Sequence, residues 1–400
     1  MPTDLPKTDH LFLLIGANPL PNYVAGMLMT KDNATIYLLC SPGAGSTAKI
    51  AERLKAVLRH AKPTLRDDDV RIREIDENDS NLINQTALTL LEGLDGSVGL
   101  NYTGGTKPMA LHVYRAIQEK EFEETVYSYL DARKLKMFID ARCGNPPQSF
   151  YVGNAIELSL ENLFALHGYE LKTPRPTINQ PKFCAALAQV HVTPEGFAEW
   201  REYLGTPLDP LPTIERYPHL APVVRAIVAL CGGAMPTSDL VARAFGFGVI
   251  ASCAKFFAGG WLEEYTFNAI SQIAGDLSIK HCKMGVEAYK PGKKDREFEI
   301  DVAAMLGYQL FAISCMATDQ KDKAKEHLFE IYVRARQLGG DEARLGLVCC
   351  VENPQKLQEE IEYQWDAKDK VRVFGAPELM CLAEHLRDWF VKANKGLGGN

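Results

Sequence analysis

The chain of 400 residues has ten cysteines, yet no C-x-x-C pair and no zinc-ligand spacing among them. That absence argues against a zinc ribbon or a thioredoxin-type centre and reads as reduced thiols. No apolar stretch approaches the roughly 20 residues that a membrane-spanning helix requires. The opening "MPTDLPKTDHLFLLIG" has only a short apolar run behind acidic and proline residues, unlike a signal peptide, so a cytoplasmic protein without membrane attachment is expected. Positive charge is not in excess either: the net charge of -7 argues against a generally basic coat and confines any nucleic-acid contact to a local groove.

What is present begins with alternation. "HLFLLIGANPLPNYVAGMLMT", "ATIYLLCSPGAGSTAKIAERLKAVLRHA" and "VRIREIDEND" switch between strand-like and helix-like runs, which predicts an α/β domain over residues 1–150, a parallel sheet flanked by helices. In such sheets ligands sit at the carboxyl ends of strands, where "IGANPLPN", "CSPGAGST" and "NYTGGTK" all fall. Gly104 and Gly105 lie at a strand-to-helix turn, with Pro108 tolerated in the first helical turn. Such a turn offers backbone N–H groups and the positive end of a helix dipole to an anion. A phosphate cradle and an ordinary tight turn both satisfy that spacing. The order Gly-Gly-Thr-Lys is not a Walker A loop, so a nucleoside triphosphate hydrolase is not supported. Gly43 to Ala48 formally match G-x-G-x-x-A, a dinucleotide reading in which Asp67 or Asp68 would meet a ribose. The match follows the second strand rather than the first, which counts against a conventional dehydrogenase.

Residues 172 to 215 carry scattered prolines that mark a connecting region. Residues 151–257 are expected to be a linker followed by a helix-turn-helix-like unit of three short helices. Its basic residues, Arg225, Arg243 and Lys255 among them, are too sparse for sequence-specific DNA reading, and interdomain packing is the expected role.

Residues 258–400 form the expected last domain. "WLEEYTFNAISQIAG" is an amphipathic helix bearing Glu263 and Glu264, and "EFEIDVAAML" with "YQLFAISCMA" reads as two strands joined at Gly307. Strict alternation puts Glu297, Glu299 and Asp301 together on one face, about 7 Å apart. Such carboxylates repel unless something positive or open water compensates them. A hard divalent metal is one solution, since oxygen ligands suit magnesium or manganese. A solvated edge strand with "GKKDRE" as positive neighbours is the other. The layout of helix, acidic strand, hairpin, second strand and helix is that of a metal-dependent phosphodiesterase site, in which a lysine orients water or stabilises the phosphate. On the second strand, however, Ser314 and Met316 stand where an acid and that lysine are wanted.

The "GANPLPN" loop, "NYTGGTKPMA", "GGWLEEY" and "EFEIDV…ISC" together resemble the CRISPR ancillary nucleases of the Card/Can type, over nearly the whole chain. The resemblance implies a Rossmann-like CARF domain, a helical winged-helix-like middle segment and a C-terminal α/β restriction-endonuclease-like domain of the PD-(D/E)xK class. It implies a homodimer that binds a cyclic oligoadenylate, usually cyclic tetra-adenylate, across its axis. Gly104, Gly105, Thr106 and Lys107 would contact the ring phosphates, with Thr103 at the turn and Asn18 and Pro19 closing over adenines. In the nuclease, Asp301 and Glu263 would hold manganese or magnesium, with Glu299 and Ser314 beside them. It would cut single-stranded RNA or DNA, or nick duplex. Met316 departs from the family lysine, and methionine can neither orient water nor carry positive charge. Lys321, Lys323 or Lys325 could replace it from the next helix. Alternatively the chain is a nuclease-degenerate sensor acting through partners, or a ring nuclease that cleaves its messenger in the cradle with Lys107 stabilising the phosphate.

Overall fold

The computed structural model describes residues 5–43, 46–120, 122–140, 146–173, 179–204, 211–233 and 236–395. Seven strands make the first sheet: β1 (Thr8–Leu14), β2 (Thr30–Cys40), β3 (Val70–Glu74), β4 (Val98–Asn101), β5 (Thr125–Asp131), β6 (Lys136–Ile139) and β7 (Gln148–Tyr151). Their spatial order is β3-β2-β1-β4-β5-β6-β7. The first five run parallel, and β6 and β7 add an antiparallel edge. The parallel strands read as continuous apolar runs because helices cover both faces: Leu11 and Leu13 enter one core, Phe12 and Leu14 the other. Strand order reverses between β1 and β4, and an open α/β sheet leaves its ligand crevice at that switch point, beyond the carboxyl ends.

The second sheet has the order β13-β12-β11-β10-β9-β8, with β8 (Glu170–Lys172), β9 (His281–Tyr289), β10 (Arg296–Leu306), β11 (Gln309–Met316), β12 (Arg344–Cys349) and β13 (Val371–Phe374). β10 and β11 form the expected antiparallel hairpin at Gly307, whose φ is +62°, while β11, β12 and β13 run parallel. β8 arises within 151–257, the stretch read as linker and helical unit, and pairs antiparallel with β9. Just before it, helix Leu160–Leu166 buries Leu163 and Phe164 in a core continuous from Leu11 and Leu13 of β1 to Leu345 of β12. The two sheets are therefore joined by a shared apolar core as well as by the chain.

The middle of the chain is helical, with helices Pro181–His191, Pro194–Leu204, Ala221–Leu230, Ser238–Ala244 and Ile250–Lys255. Trp200, Phe257 and Trp261 are fully buried there, in one core with Val302, Phe311 and Ile313 of the second sheet. Burying an aromatic side chain of that kind contributes on the order of 2–3 kcal/mol, so these helices are committed to packing. Among the described residues, no helix is long and apolar enough to cross a membrane.

Candidate functional site

At the switch point of the first sheet, the two loops predicted to line a ligand crevice are packed on one another. A Cβ on Gly104 would lie 2.2 Å from the Leu14 carbonyl oxygen and 3.1 Å from the Gly16 nitrogen. Glycine is required at this position because two backbones touch, a cause internal to the protein. Asn22, buried in helix Leu20–Leu28, donates from Nδ2 to the same Leu14 carbonyl at 3.0 Å.

The threonines of the turn are also engaged. Thr103 Oγ1 donates to Asn101 Oδ1 at 2.7 Å and accepts from the Leu130 N–H at 2.8 Å. Thr106 Oγ1 donates to the Glu77 carbonyl at 2.7 Å and caps helix Lys107–Glu119 by accepting from the Met109 N–H at 3.3 Å. Pro19 is buried, and Asn18 Oδ1 accepts from the Leu20 N–H at 3.0 Å. What remains open at the surface is Gly105 and Lys107, both exposed at the start of that helix. Asn18, Pro19, Thr103, Gly104, Gly105, Thr106 and Lys107 thus lie on the two adjoining loops, most of them shaping the crevice and Lys107 presenting its charge.

The dinucleotide alternative does not assemble. Asp67 is ion-paired with Lys55 and Arg59, both at 2.9 Å, and precedes β3, at the opposite end of the sheet from the loop that follows β2. The Gly43 to Ala48 motif lies in part outside the described residues.

The second candidate site is a fork. β10 pairs with β11 from Val302 to Leu306, whereas its first half, Arg296 to Ile300, pairs with β9 alone. Asp301 stands where the strands part. Its Oδ2 accepts from the Cys315 N–H at 2.7 Å and from the Ser314 hydroxyl at 3.3 Å. The strict alternation expected of "EFEIDV" slips at this point. Phe298 and Ile300 share a core with Ala303 and Met305, while Val302, Ala304 and Leu306 face the other core. On β9 the change of side falls at Gly285, with φ +59°.

Arg296 supplies the compensation that the acidic strand requires. Its guanidinium pairs with Glu299 and, at 2.9 Å, with Glu287, which lies opposite Glu299 on β9. A cavity of about 250 Å³ opens here, lined by Asp301, Glu299, Arg296 and, from helix Lys321–Gly339, His327 and Glu330. Burial, with help from Glu299, holds the Asp301 carboxyl above its ordinary range, against the opposing pull of the Cys315 N–H and His327. On the far side of β11, burial and the charges of Asp301 and Glu263 push the Cys315 thiol well up. Asp301 and Glu263 therefore both act electrostatically on Cys315. Glu264 is set apart: fully buried, its Oε1 accepts from the Gln180 N–H at 3.0 Å.

Among the described residues no group of three or more histidine, cysteine or acidic side chains is arranged to hold a metal ion. Asp301 and Glu299 do bring two carboxylates to one cavity, a set that fits magnesium, which is held by one or two carboxylates and keeps several waters and substrate phosphates. Lys321 lies 3.9 Å and Lys325 2.9 Å from Glu360 of helix Pro354–Trp365. The basic groups facing Asp301 are instead Arg296 and His327, neither singled out from sequence. Arg296 was visible only within a charged run, and His327 depends on how a distant helix crosses the sheet.

Residues 251–393 match the family model described as Card1-like, endonuclease domain. The C-terminal part of this chain is thus similar to Card1-like endonuclease domains. A search among curated proteins gave no match. Among solved structures, protein VC1899 from Vibrio cholerae is similar at 18% identity, covering 98% of this chain and 99% of its own, with a TM-score of 0.71. Can2 from Sulfobacillus thermosulfidooxidans, solved in complex with cyclic tetra-adenylate, is similar at 18% identity, covering 95% of this chain and 96% of its own, with a TM-score of 0.66. At this identity the two structures establish a shared fold. They agree with the expected α/β architecture, and it is the Card1-like family match taken with that fold that supports the resemblance to Card/Can-type ancillary nucleases. The fork at Asp301 lies inside the Card1-like domain and the loop crevice lies outside it.

Proposed function

We propose that this chain is a messenger-gated nuclease of type III CRISPR defence, with a cyclic oligoadenylate bound at the β1/β4 crevice and nucleic acid cut at the Asp301 fork. The observation that carries the nuclease half is Asp301 itself. It is a half-buried carboxylate held by the Cys315 N–H at 2.7 Å, facing a cavity with Glu299 and His327, within a Card1-like endonuclease domain. Asp301 and Glu299 would hold magnesium or manganese, and the bound ion would supply charge neutralisation at the scissile phosphate. Ser314 and the Cys315 N–H fix the Asp301 carboxylate, and His327 lines the same cavity. Support for the messenger comes from the switch-point crevice, from Lys107 exposed at a helix start, and from likeness to Can2, whose structure holds cyclic tetra-adenylate. A two-fold ring fits a homodimer, with one crevice contributed by each chain. The messenger can gate cutting only by binding the active arrangement more tightly than the resting one.

A second reading has its own observation. Met316 carries no charge, Lys321 and Lys325 lie against Glu360, and Arg296 engages Glu299, an arrangement that suits a sensor whose nuclease half binds partners without cutting. Incubating the protein with labelled single-stranded RNA, single-stranded DNA and plasmid in manganese, with and without cyclic tetra-adenylate, separates the two. Cutting that requires manganese supports the nuclease. Intact substrates despite messenger binding support the sensor.

A further inference from the structure

A cavity of about 650 Å³ opens in the Card1-like domain between helix Pro354–Trp365, β13 and helix Leu382–Asn394, within the size range of small-ligand pockets. It shares no lining residue with the Asp301 cavity. Arg344, the first residue of β12, pairs with Phe311 in register, whereas Ser314 beside Asp301 lies three residues further along β11.

Arg344 is only 1% exposed. Its Nη1 donates to the carbonyls of Asp341, Glu342 and Ala343 at 3.2, 2.9 and 3.0 Å, while its Nε, equally buried, has no hydrogen-bond partner among the described residues. A buried donor left unmet is unusual enough to require an acceptor, and burial works against the guanidinium charge. Lys392 and Lys395, one turn apart and exposed on helix Leu382–Asn394 and its end, line the same cavity. A fourth cation, Arg372, also lines it but is engaged by Glu378, and Arg344, Lys392 and Lys395 on one space suit a phosphate.

A site for bare phosphate would not also carry acids, yet Asp369 and Asp388 line this one. Carboxylates accept hydrogen bonds from hydroxyls, as they do from a ribose in dinucleotide sites. We infer that this cavity is a binding site for a small phosphorylated ligand that bears hydroxyls, of nucleoside monophosphate size, with Arg344, Lys392 and Lys395 on the phosphate and Asp369 and Asp388 on the hydroxyls. The same chemistry is offered by a free nucleotide and by the 5′-phosphorylated end of an oligonucleotide. The inference does not rest on the gated-nuclease reading.

The test is isothermal titration calorimetry of the full chain with adenosine monophosphate, a 5′-phosphorylated trinucleotide, adenosine and inorganic phosphate. The proteins are wild type, Lys107→Ala and the double variant Lys392→Glu/Lys395→Glu, whose exposed positions leave the core untouched. The expected result is nucleotide or trinucleotide binding that persists in Lys107→Ala and weakens by about tenfold or more in the double variant, with adenosine and inorganic phosphate each weaker. Preference for the monophosphate identifies a free nucleotide, and preference for the trinucleotide identifies a strand end. Absence of binding at millimolar concentration, loss in Lys107→Ala with retention in the double variant, or inorganic phosphate binding as tightly as the nucleotide would each overturn the assignment.

Discussion

Asn18 and Glu342, from opposite halves of the chain, meet at Gly340. A Cβ placed on that glycine would lie 2.5 Å from Asn18 Nδ2 and 2.6 Å from Glu342 Oε2. Asn18 belongs to the loop after β1 that borders the proposed messenger crevice, and Gly340 and Glu342 lie immediately before β12 of the Card1-like domain. Arg133, next to β5, adds a longer ion pair of 3.7 Å to Asp341 in the same turn. The loop after β1 therefore rests directly on the turn that leads into β12.

Gly340 has φ 63° and ψ -151°, a region open essentially to glycine alone. Gly340→Ala is expected to cost about 1–3 kcal/mol from backbone strain, and the methyl must also displace Asn18 or Glu342. Urea unfolding measures the loss. An unchanged midpoint and slope would mean that the turn relaxes freely and transmits nothing from the Asn18 loop.

Glu342 is fully buried, neither carboxylate oxygen has a hydrogen-bond partner among the described residues, and burial pushes its carboxyl up to about 7. Its raised value means that the folded state holds the proton more tightly than the unfolded chain does. Its contribution is then complete below the unfolded value near 4.5, declines as pH rises, and is gone above about 7. The stability difference, wild type minus Glu342→Gln, should therefore fall between pH 5 and pH 8, by roughly 3 kcal/mol at most. Taking the difference cancels the half-buried His167 and the buried His191, whose values desolvation lowers to about 4. A pH-independent difference would contradict the assignment.

Asp301→Asn keeps an acceptor for the Cys315 N–H while removing the charge that burial opposes. Stability should hold or rise, and cleavage should fall by at least about 100-fold, beyond what loss of a supporting residue at a metal site costs. Cleavage rates and thermal unfolding on the same preparation separate the two effects. Full cutting by the variant would remove Asp301 from the chemistry.

Lys107 is exposed at the first turn of its helix, so Lys107→Ala should leave stability within about 0.5 kcal/mol of wild type. Loss of a charge-assisted hydrogen bond to phosphate should weaken messenger binding by about tenfold to 100-fold, as read by equilibrium binding of labelled cyclic tetra-adenylate.

Much of this architecture was legible because its signals are local. Apolar runs and glycine turns place the parallel strands, and the hairpin at Gly307 follows from two runs separated by a turn. The crevice was legible as two loops at strand ends. Their glycines were legible only as permissive, since the contact of Gly104 with Leu14 brings together residues far apart in the chain. The face of Asp301 was not legible, because alternation assumes an unbroken pleat and the slip at Asp301 and Gly285 exists only where three strands diverge. His327, Arg296 as a clamp on Glu287 and Glu299, and the pairing of Lys321 with Glu360 likewise depend on register and helix crossing. β8 escaped notice because three residues are too short to show a period.

The most direct test of gating is the single-turnover cleavage rate of labelled single-stranded substrate in manganese, with and without saturating cyclic tetra-adenylate, for wild type and Lys107→Ala. A rate that rises with messenger in the wild type, and requires more messenger to rise in Lys107→Ala, is the predicted result. Equal rates with and without messenger, while direct binding shows the crevice filled, would contradict it.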